Sequence, residues 1–125
     1  MLRLMSVFYS LCLALLTLSC NDTEINLETD LAEQYNRLVL ISESELCTDS
    51  GDWRFIGVGA KPCGGPSSFM AYSMKIDTLE FLRLVEQYNE DTRELNKRKG
   101  LISDCAVIPA PNIIRCENGK AILVY

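Results

Sequence analysis

The chain has 125 residues, 48% of them apolar, with 12 basic and 17 acidic side chains and no histidine. That length holds one hydrophobic core of ordinary size and little besides. A net charge of −5 repels nucleic acid phosphates, and the missing histidine removes the commonest general base and metal ligand.

The first positive charge, Arg3, stands before an apolar run of 15 residues, Leu4 to Leu18, which ends in small residues ahead of Cys20. This is the order of a secretory signal: charged n-region, apolar h-region, cleavage region. The run is short of the roughly 20 residues needed to cross about 30 Å of hydrocarbon. Removing residues 1–19 takes away only Arg3 among the charged residues, so the mature chain is more acidic still. It also removes Cys12 and leaves Cys20, Cys47, Cys63, Cys105 and Cys116. An odd cysteine in an exported chain needs a use of its own. Attachment of lipid to the Cys20 sulfur supplies one and leaves four cysteines to pair.

With Leu16, Leu18, Ser19 and Cys20 in place, the N-terminus resembles a bacterial lipoprotein precursor with a Leu-x-Leu-Ser-Cys lipobox of the Bacteroidetes type. The resemblance implies a diacylglyceryl thioether on Cys20 and an acyl chain, such as palmitate, on the new amino terminus. Each buried CH₂ of such chains contributes about 0.8 kcal/mol, so two or three chains hold the protein to a lipid bilayer. It further implies an envelope protein anchored in the outer membrane, and the acidic "CNDTE" after the cleavage point resembles a signal for display at the cell surface.

Residues 20–30 carry Asp22, Glu24, Glu28 and Asp30 and read as a lipidated cysteine followed by a solvated tether, with a single domain over 31–125. Two capping boxes follow: Asp30-Leu-Ala-Glu33 and Asp77-Thr-Leu-Glu80 each place an acceptor three residues before a glutamate that can reach back. The first opens a helix from Leu31 to about Ser42 with Leu31, Tyr35, Leu38 and Val39 turned inward, although "RLVLIS" also suits a strand. The second opens a longer helix, Thr78 to about Lys99, whose apolar stripe is Phe81, Leu84, Val85, Tyr88, Thr92 and Leu95. Lys97, Arg98 and Lys99 complement the negative end of its dipole, and Gly100 supplies a left-handed stop.

Between the helices, "DWRFIGVGAK" and "SSFMAYSMKI" alternate as strands, with Met70, Tyr72 and Met74 on one face and Phe69, Ala71 and Ser73 on the other. At the end, "NIIRCE" and "KAILVY" flank Asn118-Gly119, the strongest short hairpin signal. The expected fold is α+β: a small antiparallel sheet with a C-terminal hairpin, one long helix packed across it, a shorter N-terminal helix, and two disulfides.

Pairing of neighbours, Cys47 with Cys63 and Cys105 with Cys116, would make two short staples worth about 3 kcal/mol each, although spacing leaves the other two connectivities open. Intervals of 15, 41 and 10 residues match no paired zinc-ligand spacing, so no metal and no cofactor are expected. Cysteine has no histidine to activate it, and no serine or threonine nucleophile motif occurs, so a non-enzymatic role is expected.

Gly64-Gly65 in "KPCGGPSSF" has the backbone to nest an anion but more simply turns the chain. The set Trp53, Gly59, Cys63-Gly-Gly-Pro66 and Tyr72-Ser73 resembles small secreted bacterial proteins and implies no activity. Two functions compete. One is an envelope module that binds a protein or glycan or joins an assembly. The other is a tethered peptidase inhibitor that presents Val107, Ile108, Pro109, Ala110 and Pro111 to a protease from a loop closed by Cys105 and Cys116, with the prolines pre-setting an extended backbone.

Overall fold

A computed structural model describes the backbone from Asp22 and the side chains from Asn26 to Tyr125. The expected signal segment, Cys12 and Cys20 lie outside these residues. In chain order the elements are α1 (Asp22–Ser42), a 3-10 turn (Ser50–Asp52), β1 (Trp53–Val58), β2 (Ser68–Ser73), α2 (Thr78–Arg98), β3 (Ile113–Glu117) and β4 (Lys120–Val124).

The fold is α+β, with β1 antiparallel to β2 and β3 antiparallel to β4. The two pairs remain separate two-stranded sheets rather than merging into one. The hairpin at Asn118-Gly119 forms as expected: both residues take positive φ, 52° and 77°, and Glu117 pairs with Lys120 across them. A Cβ on Gly119 would also stand 3.2 Å from Leu46 Cδ2.

The C-terminal helix follows its sequence signals closely. Asp77 accepts a hydrogen bond from the Glu80 amide at 3.0 Å, Phe81 and Val85 are buried, and Gly100 follows the helix at φ 58°. Its partner departs from expectation. The acidic tether is not a tether: residues 22–30 are the first turns of α1, which is as long as α2 at 21 residues. Asp30 is therefore no N-cap. It lies mid-helix and accepts from Gln34 Nε2 one turn on, at 2.8 Å. Leu27, half-buried, and Leu31, buried, are four residues apart on one face, and Glu28 pairs with Lys99 at the end of α2. These contacts carry the helix back through a segment whose composition reads as solvated.

The core is Leu38, Val58, Tyr72, Phe81 and Val85, ringed by half-buried side chains that include Ile41, Ile56, Met70 and Leu84. One face of the β1–β2 pair, Ile56, Val58, Met70 and Tyr72, thus lies under both helices, as strand alternation requires. Met74 falls past the end of β2 and is 48% exposed, so the expected stripe stops at Tyr72. Tyr35 is also less enclosed than expected; its ring meets Tyr88 at 5.7 Å along the contact between the helices.

The disulfides join Cys47 to Cys116 and Cys63 to Cys105, so the expected pairing of neighbours is wrong. The reason is topological. Asn89 and Asn96 of α2 bind the backbone after β1: Asn89 Oδ1 accepts from Gly59 N at 2.6 Å, and Asn96 Nδ2 donates to the Ala60 carbonyl at 2.7 Å. They lead the chain along the helix to its C-terminal end, where Cys63 meets the segment emerging from α2. Cys47 instead follows α1 and meets β3.

Candidate binding cleft

Among the described residues each strand has one partner, so β2 and β4 both present an edge of backbone donors and acceptors that no other described strand pairs. These edges border a cleft of about 430 Å³. Its walls include Phe69, Met70 and Ala71 from β2 and Lys120, Ala121 and Ile122 from β4. Consecutive strand residues point to opposite faces, so three in a row line a cleft only where it runs along the strand edge. Tyr35, Val39 and Ser42 of α1 cover it from one side, and Trp53, 5% exposed, forms part of its lining.

The cleft's position is fixed by the chain after α1. Cys47 donates its backbone N–H to the Gly119 carbonyl at 2.8 Å and bonds through sulfur to Cys116, fastening the end of α1 to the β3–β4 hairpin. Leu46, immediately before, is left 75% exposed on the lip. Glu43 and Lys120 face one another at 4.0 Å, a surface pair worth at most a fraction of a kcal/mol. An apolar cleft of this size with a few polar groups at its rim is suited to binding. Among the described residues no group of cysteine and carboxylate side chains could hold a metal ion.

The candidate residues from the sequence do not meet here as a set. In the segment 107–111, Val107, Pro109 and Ala110 are exposed, Ile108 is half-buried and Pro111 is buried. No bond joins Cys105 to Cys116, so this segment is not the closed loop expected of an inhibitor. Cys63 and Cys105 are both exposed and form a clasp at the far end of α2. There Lys61 Nζ donates to the Ala106 carbonyl at 2.6 Å and pairs with Asp104 at 3.4 Å. The Ala106 N–H and the Lys61 ammonium hold the Asp104 carboxyl below its ordinary pKa. Gly64 N–H donates to the Lys61 carbonyl at 2.9 Å, so the two glycines serve a turn rather than an anion nest.

Sequence reasoning missed Leu46, Glu43 and Ile122. The available signal was an apolar side chain directly before a cysteine, but which hairpin that cysteine reaches depends on the disulfide pairing. Compared with protein families, curated proteins and solved structures, the chain matches none.

Proposed function

We propose that this protein is a lipoprotein of the bacterial cell envelope, anchored in the outer membrane through acyl chains on Cys20, and that it acts without catalysis as a binding or assembly module. The observation that carries the binding role is the cleft between two free strand edges. An extended segment of a partner protein laid there gains backbone hydrogen bonds from β2 or β4 while its side chains meet Trp53, Phe69 and Leu46. Two disulfides in so small a domain agree with an oxidising, exported location. Among the described residues no helix is long and apolar enough to cross a membrane.

The binding role is tested by photo-crosslinking in intact cells from a benzophenone amino acid at Ile122. A single reproducible envelope-protein adduct that disappears on Leu46→Arg supports it. No adduct, or one indifferent to Leu46→Arg, contradicts it. The anchor is tested separately: Cys20→Ala should release the protein from membranes or leave its signal uncut, and a variant still recovered as a processed lipoprotein refutes it.

A further inference from the structure

The helices run antiparallel. Glu28 meets Lys99 at one end, Gln34 Nε2 donates to Asp91 at 2.8 Å near the middle, and Arg37 approaches Glu80 at 3.9 Å toward the other end. The start of α1 and the end of α2 therefore share one pole of the molecule. Asp22 follows Cys20 by two residues, a reach of about 7 Å when extended, and precedes Glu28 by about 9 Å of helix. With the tether replaced by helix, any lipid on Cys20 sits close to this pole with no long spacer between.

The same pole carries the two most exposed large apolar side chains among the described residues, Ile102 at 94% and Val107 at 90%, with Leu101 beside them at 48%. They are held on a fixed frame. Leu101 N–H donates to the Asn96 carbonyl at 2.9 Å, the Cys63–Cys105 bond ties down the segment between Ile102 and Val107, and Lys61 holds the Ala106 carbonyl. The cleft lies toward the other pole, where α1 ends at Ser42.

We propose that this pole rests on the phospholipid surface, with Ile102 and Val107 entering the interfacial layer, so that the cleft faces away from the bilayer. The proposal rests on the reading that Cys20 is acylated. Two aliphatic side chains hold a protein weakly from free solution, but they suffice to orient one already confined to the surface, where the second contact is intramolecular. Attraction to anionic headgroups is secondary. Arg98 is paired with Glu94 at 2.9 Å and Lys99 with Glu28, and among the described residues no ion pair is formed by Lys97.

The test uses the mature acylated chain in phosphatidylcholine vesicles with brominated acyl chains. Ile102→Trp is compared with Leu79→Trp, which lies at the start of α2, at the opposite pole, and is 82% exposed in the parent. Buried Trp53 is a common background. The proposal predicts at least twofold quenching of the emission added at position 102, none of that added at 79, and no change at high salt. Vesicle-bound protein with no added quenching at 102, or with equal quenching at both positions, overturns the docking and leaves the anchor standing. If the mature protein carries no acyl chain, the anchor reading fails instead. Excess brominated vesicles with that unacylated chain then decide the surface alone: selective quenching at 102 sustains it and its absence overturns it.

Discussion

The two ends of this molecule are each closed by a disulfide, yet they are built differently. Where α1 ends, Cys47 is 3% exposed, and its bridge to Cys116 is backed by the β3–β4 hairpin and a backbone bond to Gly119. Where α2 ends, Cys63 and Cys105 both face solvent, and their bridge holds a segment with no regular structure and several bare apolar side chains. The bridges span 69 and 42 residues, so chain entropy gives them similar weight, about 4 kcal/mol each. What distinguishes them is packing. The first fastens the end of α1 to the hairpin that borders the cleft, and the second fixes an exposed surface.

Paired substitutions sharpen this contrast most strongly. Cys47→Ser with Cys116→Ser should lose the chain-entropy contribution and also leave a buried hydroxyl without a partner, a further penalty of about 1–3 kcal/mol. Cys63→Ser with Cys105→Ser should lose only the former. Denaturant unfolding of the two double variants measures the difference, and equal losses would mean that burial of the first bridge contributes nothing. For the same reason a mild dithiol should open Cys63–Cys105 first, read by mass after alkylation.

A smaller effect is expected at Asn89, whose Oδ1 accepts the Gly59 N–H in a half-buried site. Asn89→Ala should cost about 1–3 kcal/mol by stranding that donor, and should loosen the approach to Cys63 more than the cleft. Hydrogen exchange resolved along the chain would show which end responds.

The smallest effect concerns Asp104. Its carboxyl pKa is depressed by the Ala106 N–H and by Lys61, so its contribution is whole above the ordinary carboxylate range and is lost as pH falls below that range through the depressed value. The group is fully exposed, so the change is slight. A melting series on the parent and Asp104→Asn should converge at low pH, and curves that stay parallel would show that the carboxylate contributes nothing.

Much of the fold is legible locally, and what is not depends on distant contacts. The α2 cap at Asp77, its buried Phe81 and Val85, its stop at Gly100 and the Asn118-Gly119 turn need only a few neighbouring residues. The first turns of α1 are not legible in this way. Asp22, Glu24, Glu28 and Asp30 outnumber Ile25 and Leu27 across the segment, and the pairing of Glu28 with Lys99 spans 71 residues. The same holds for the disulfides. Their pairing follows from Asn89 and Asn96 guiding the chain after β1, a role that hydrophobic periodicity cannot reveal. The cleft was hidden for a further reason: alternation identifies strands but does not say that two hairpins will stay apart and leave their edges free.

If one end of the molecule binds a partner while the other faces the bilayer, the benzophenone amino acid placed at Ile122 and, separately, at Ile102 in the same cells will meet different neighbours. One defined protein adduct is expected at Ile122, lost with Leu46→Arg, and lipid rather than protein adducts at Ile102. The same protein captured from both positions, or lipid captured from Ile122, would contradict this arrangement.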